Sequence, residues 1–142
     1  MMVKRKQGLE TLEIWQRSMD FAVDVCQHIL PLFPPEEKWA LNSQLRRAAQ
    51  SIPANIAEGY GRYNFQETIH FCYIARGSMA ETKSHLVLAH RLGYINDSIH
   101  NDYQSRLIEL GKMLHGFIGH LRKQKNLNSV KEFPNINEFY EV

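Results

Sequence analysis

The residues of this chain whose chemistry could carry an activity are seven histidines, two cysteines and an excess of arginine and lysine. Two histidines on one helix hold a metal at spacings of three or four, because those separations aim both imidazoles the same way. Here His85 and His90 stand five apart, as do His115 and His120, so neither pair shares a face. We expect no metal site and no other cofactor. Neither cysteine sits in a nucleophile context, no Gly-x-Ser-x-Gly elbow occurs, and Gly59-Tyr60-Gly61 lacks the Gly-Lys-Ser/Thr ending of a phosphate loop. Paired carboxylates are absent from the centre of any apolar face. The expectation is a protein with no catalytic residues.

The basic residues are the remaining chemistry. The formal charge is only +2 over 142 residues, yet its distribution is uneven. Lys38, Arg46, Arg47, Arg62, Arg76, Lys83 and Arg91 stand against Glu58, Glu67 and Glu81, so residues 38–91 carry +4. Residues 1–37 carry −2, residues 92–125 +2 and residues 126–142 −2. On a helix Arg46 and Arg47 flank the inner stripe on opposite sides, about 100° either way, and Arg47 falls near the azimuth of Glu58. One of these arginines is expected to pair with Glu58 or Glu81 at a helix or subunit contact, and Arg47 is assigned that part. Arg46, Arg62, Arg76, Lys83 and Arg91 are the candidates for a phosphate-contacting surface, which would bind without sequence preference and weaken with salt. The alternative for the same residues is an ordinary solvated helix face. Tyr60, Tyr63 and Tyr73 could stack on unpaired bases, or serve as core or interface aromatics.

Four helical segments are expected to position these groups, with no convincing alternating strand pattern. The first covers about residues 11–30, with a stripe of Leu12, Trp15, Met19, Ala22, Cys26 and Ile29 and an offset set of Ile14, Phe21 and Val25. Prolines 31, 34 and 35 end it. The second covers about 35–58, with Leu41, Leu45, Ala48, Ile52 and Ile56 inward and Gly59 and Gly61 as its exit. Asn64 and Glu67 form a capping box that opens the third. That helix reaches about Leu92, with Phe65, Cys72, Met79 and Leu86 at heptad spacing beside Ile69, Ala75, Thr82 and Ala89, and Gly93 as its cap. The fourth carries Tyr103, Leu107, Leu110, Leu114, Phe117 and Leu121. Long helices joined by short turns make an all-α, antiparallel up-down-up-down four-helix bundle the expected fold. The expected divisions are an N-terminal arm over 1–10, the bundle over 11–125 and a disordered or docked tail over 126–142. No signal peptide or membrane span is expected, and unpaired cysteines suit a reducing cytoplasm.

The stretch from Asn42 to Arg62 departs from ordinary helix chemistry. Pro53 lies inside it, so its helix is expected to kink there, and Asn55 is expected to satisfy polar groups that the proline frees. Ala48, Ala49, Ser51, Ala54 and Ala57 lack bulk, and the third helix has a thin patch at Ala75, Gly77, Ser78 and Ala80. Close packing within one chain or between subunits accounts for both. Pro53, Asn55, Glu58, Gly59, Gly77 and Glu81 therefore join Arg47 as structural or interface residues.

Across Leu12-Glu13-Ile14-Trp15-Gln16, Gln44-Leu45-Arg46-Arg47-Ala48-Ala49 and Ser51-Ile52-Pro53-Ala54-Asn55-Ile56-Ala57-Glu58-Gly59, the chain resembles a known family. It is similar to the four-helix bundle proteins encoded in intervening sequences of bacterial 23S ribosomal RNA genes, and to the accessory variability proteins of diversity-generating retroelements. Phe71 to Ser78 and Leu92-Gly93-Tyr94-Ile95 extend the match. The resemblance implies a ring-like homopentamer with a basic surface and no known enzymatic activity. Five copies at +2 would carry +10. It also implies RNA or DNA, or a reverse transcriptase or other nucleic-acid enzyme, as partner. A protein-interaction scaffold without a nucleic-acid role is the alternative, and a metal-dependent bundle enzyme the remote one.

Overall fold

A computed structural model describes residues 8–132, and the side chains of residues 8–127. It contains four α-helices and, among the described residues, no strand: α1 (Glu13–Asp24), α2 (Leu41–Tyr60), α3 (Phe65–Arg91) and α4 (Asp97–Glu132). Each helix packs on its neighbours in sequence, and α4 closes the set against α1. The facing residues run in opposite senses. Ser51 meets Ser78 and Gly59 meets Thr68 across α2 and α3. His90 meets His100 and Gln66 meets Lys125 across α3 and α4. Asn42, early in α2, bonds the Leu30 carbonyl at the far end of the first helical segment. An up-down-up-down bundle is the arrangement these pairs describe.

The core stripe of α1 is only partly the expected one. Ile14, Ser18, Phe21, Ala22, Val25 and Ile29 are buried, Leu12, Trp15 and Cys26 are only partly so, and Met19 is exposed. The core face thus joins the offset set, Ile14, Phe21 and Val25, to Ala22 and Ile29 of the expected stripe, with Ser18 between them. Ser18 hid it, because a serine breaks the apolar pattern. Its hydroxyl donates to the Trp15 carbonyl at 3.0 Å, which satisfies the one polar group the stripe buries. Beyond Asp24 the helix widens into a π turn over Val25–Ile29 and a 3₁₀ turn over Leu30–Leu32.

α2 begins at Leu41 rather than near 35. Residues Pro35–Glu37 form a separate 3₁₀ turn, and Ala40 has φ −116° and ψ −106°, outside helical values. Glu37 closes the gap: one carboxylate oxygen accepts the Leu41 amide at 3.5 Å and the other the Tyr94 hydroxyl at 2.7 Å. The expected inner face holds, with Leu45, Ile52 and Ile56 at 1% exposure or less. Gly59 lies inside α2, not at its exit, and the capping Gly61 has φ −76°, so no left-handed residue ends this helix.

In α3 the expected stripe holds, with Phe65 partly buried. Asn64 caps it by accepting the Glu67 amide at 2.8 Å. At its other end Gly93 adopts φ +81°, the Gly93 amide bonds the His90 carbonyl at 3.0 Å and the Tyr94 amide the Ala89 carbonyl at 2.9 Å. This is a Schellman ending, which needs the left-handed residue glycine supplies. Asn96 starts α4 by accepting the Ile99 amide at 2.9 Å. Ile118 takes the fully buried place expected of Phe117, which packs partly buried beside it. α4 continues past the boundary drawn at 125, to Glu132. What was expected of 133–142, and of the arm before Gly8, lies outside the described residues.

Candidate functional site

Along α3, Arg76 and Lys83 are seven residues apart and therefore within about 20° of one another, with Arg91 about 60° from Arg76. All three are exposed. The stripe they form is about 22 Å long and runs on the side of α3 that faces α4, since Lys83 shares its azimuth with His90, which stacks on His100 of α4. α4 adds a fourth cation. The Arg122 guanidinium lies 5.5 Å from the centroid of the Tyr73 ring, and Arg76 lies 4.8 Å from the same centroid. The two guanidinium carbons are thus at most about 10 Å apart, about one Debye length at ordinary salt. Among the described residues no carboxylate pairs with Arg76, Lys83, Arg91 or Arg122. Nearby, Lys125 reaches the Gln66 side chain at the first turn of α3.

Arg62, in the turn before α3, lies on the α2 side of that helix, since the Phe71 ring it covers packs against Gly59 and stands about 140° around the axis from Arg76. It donates to Glu58 at 2.8 Å and lies over the Phe71 ring, 5.0 Å from its centroid. Tyr63 beside it is 90% exposed. Arg46, in contrast, follows Asn42 by one helical turn and so stands on the α1 side of α2, about 140° around the axis from Ser51, which faces α3. The structure therefore gathers Arg76, Lys83 and Arg91, and separates both Arg62, on the α2 side of α3, and Arg46 from them. Arg122 and Lys125 were missed by sequence reasoning. The signal available was the +2 of residues 92–125, but linking Arg122 to Tyr73 requires the pairing of α3 with α4.

The residues assigned structural parts sort differently. Glu58 pairs with Arg62, and Glu81 approaches His85 at 3.5 Å, so neither holds Arg47, which is exposed. α2 runs through Pro53, which is buried, without a break in its helical assignment. The Asn55 amide does not serve the carbonyl that Pro53 frees, which belongs to Ala49. It donates to the Ser51 carbonyl at 2.8 Å and the Ser51 hydroxyl at 2.9 Å, and Ser51 meets the Ser78 hydroxyl at 2.7 Å. Gly59 sits against α3, where an added Cβ would lie 2.7 Å from the Phe71 Cβ. At Gly77 an added Cβ would meet nothing within 4 Å, so packing inside the chain does not require that glycine.

Other titratable groups have structural work. Asp24 accepts from His28 at 2.7 Å, from the Tyr103 hydroxyl at 2.9 Å and from Arg106. Burial first, and the bond to Asp24 second, push the Tyr103 phenol above its ordinary range. Burial pushes the Cys72 thiol up to about 11, which leaves it protonated and unreactive at neutral pH. His90 and His100 stack at 4.1 Å, and His90 meets Asp97 at 2.6 Å. Burial, then the neighbouring His90, lower the pKa of His100 against an opposing pull from Asp97. The one Glu-x-x-His run, Glu67 to His70, is exposed at both ends. Among the described residues no group of three or more His, Cys, Asp or Glu is placed to hold a metal ion.

The match to a family model named 23S rRNA-intervening sequence protein covers residues 10–116. The chain belongs to this family. A crystal structure of a protein of unknown function from the S23 ribosomal protein family, from Bacteroides thetaiotaomicron VPI-5482, is similar at 26% identity with a TM-score of 0.67. The match covers 74% of this chain and 97% of that one. No curated protein matches the chain. The matched residues take in all of α1, α2 and α3 and most of α4 as far as Gly116. Among the described residues no helix is long and apolar enough to cross a membrane.

Proposed function

We propose that this family member is a non-enzymatic cytoplasmic bundle protein that binds nucleic acid through the α3/α4 seam. The observation that carries the reading is the acid-free alignment of Arg76, Lys83 and Arg91 with Arg122 from the neighbouring helix. Like charges held together without carboxylates raise one another's energy, and a polyanion relieves that cost while releasing its own counterions. In this reading the chain assembles as a homopentamer, which repeats the seam around a ring, and acts on RNA or DNA or beside an enzyme such as a reverse transcriptase. Filter binding to structured RNA and to duplex DNA across a salt series tests it. Four phosphate contacts predict a log–log salt slope of roughly −3 to −4. Arg76→Glu with Lys83→Glu, both at exposed positions, should weaken binding at least about tenfold. Absence of binding at low salt would refute the reading.

One observation favours a second reading, a scaffold for another protein. Ile74 and Leu88 on α3 are 39% and 45% exposed and lie within about 40° of one another but more than about 100° from Arg76, so α3 turns an apolar side to solvent away from its cations. Partner capture that survives the same charge reversal would favour it.

A further inference from the structure

The three tyrosines near the basic residues have different surroundings, and the differences narrow what the seam can hold. Tyr73 is not a free stacking platform, because Arg76 and Arg122 already occupy its ring at 4.8 and 5.5 Å. It acts instead as a support that orients two guanidinium groups from different helices. A guanidinium lying on a ring keeps its N–H edges available, and those edges match phosphate oxygens two at a time. Tyr60 is partly buried, and burial is the first cause of its raised pKa, followed by the charge of Glu10. Tyr63 is the exception at 90% exposure. It stands in the turn between α2 and α3, next to Arg62, whose contacts with Glu58 and Phe71 tie the turn to both helices. The turn is thus held while the ring is left in solvent. α3 begins two residues after it, and Tyr73 stands about 12 Å along that helix from its first residue, Phe65.

We propose that the seam takes an unpaired nucleic-acid strand, with phosphates on the Arg76–Arg122 clamp and a base stacked on Tyr63. The inference rests on the nucleic-acid reading above and adds strand selectivity to it. A duplex offers phosphates to the clamp but hides its base faces, so the exposed ring adds nothing to duplex binding. An unpaired base gives Tyr63 a stacking partner that removes its ring from water.

Fluorescence anisotropy with one labelled oligonucleotide, single-stranded and annealed to its complement, in RNA and DNA forms, tests this on the full chain. The single strand should bind about tenfold more tightly than the duplex. Tyr63→Ala should abolish that preference and Tyr63→Trp should keep it. Trp39→Ala should leave it intact, because Trp39, although 83% exposed, carries Lys38 over its ring and lies in the α1–α2 connection, whose Phe33 packs against Tyr94 at the other end of the bundle. Arg122→Gln should weaken both forms and lower the salt slope by about one. Equal affinity for the two forms, with Tyr63→Ala silent, would overturn strand selectivity and leave nucleic-acid binding standing. Failure of both forms to bind at low salt would overturn the underlying reading as well.

Discussion

At Gly59, α2 approaches α3 so closely that a single methyl group has no room. A Cβ there would lie 2.7 Å from the Phe71 Cβ, 3.0 Å from the Thr68 carbonyl oxygen and 3.4 Å from the Thr68 Cα. Two of these atoms are backbone and the third is fixed to it, so no rotamer change relieves the clash. The helices must separate by about 1 Å to restore ordinary contact. That movement stretches the Thr68 hydroxyl bond to the Gly59 carbonyl, 2.8 Å, and the Ser51–Ser78 bond, 2.7 Å. Overpacking of this kind costs about 1–3 kcal/mol, and a weakened hydrogen bond up to about 1. The better helix propensity of alanine offsets about 1 kcal/mol. Gly59→Ala should therefore destabilise the chain by about 2 kcal/mol, a fall of about 8 °C in Tm at this chain length. Gly77→Ala is the matched control: it is also inside a helix, but with open space around its Cα. It should raise Tm by a few degrees, because only the propensity effect remains. Thermal melts followed by circular dichroism measure both. A Gly59→Ala variant that melts at or above the parent would refute the close-approach argument. A Gly77→Ala variant that falls as far would show that α3 meets something outside the chain as tightly as it meets α2.

Asp24→Ala should cost about 2–3 kcal/mol in urea denaturation, because it leaves the Tyr103 hydroxyl without its acceptor on a residue that is 5% exposed. Tyr103→Phe should cost only about 1 kcal/mol, since Asp24 keeps His28 and Arg106. The pKa of His100 is lowered by burial and by His90, so the unfolded chain takes up a proton that the folded chain resists. Its contribution to stability is present above the unfolded value near 6.5 and is lost as pH falls. Urea midpoints measured from pH 7.5 down to 5.5 should decline, and His100→Asn should remove that part of the slope. An unchanged slope in the variant would place its origin elsewhere.

Helix identity was legible because α2 and α4 bury stripes made almost wholly of apolar residues, because α3 keeps Cys72, Met79 and Leu86 at heptad spacing beside its buried Thr68, Ser78 and Thr82, and because Asn64 and Gly93 announce its ends by types few other positions want. In helix α1 the weight of the two apolar sets was misjudged, the offset set being the more deeply buried. Its core stripe contains Ser18, and a buried hydroxyl satisfied by its own helix cannot be told from an exposed one in sequence. The start of α2 was misplaced because Pro35-Glu36-Glu37 looks like a first turn. The backbone of Ala40, outside helical values, separates that turn from α2. The basic residues were legible as a list but not as a surface. Azimuth along one helix groups Arg76 with Lys83. Whether Arg46 or Arg122 joins them depends on which helices are neighbours and which sides they turn to each other.

The unusual side chains between Asn42 and Arg62 are mostly committed to the packing of the bundle. Ser51, Asn55 and Gly59 are taken up by the α2/α3 contact, as the Ser78 and Thr68 bonds show. Pro53 is buried, and Glu58 is matched to Arg62 within one turn. Features that only one packing arrangement satisfies change rarely without loss of the fold, so they give a specific string. The charges that remain without a carboxylate lie on α3 and α4, where Arg76 and Arg122 rest on the Tyr73 ring but no buried group requires them. An exposed cation without a carboxylate is energetically cheap to replace, and four aligned along one seam are therefore better explained by what they bind than by what they stabilise. The packing of α2 against α3 holds one face of α3 fixed, and that constraint is what keeps Arg76, Lys83 and Arg91 in line with Arg122 on the other.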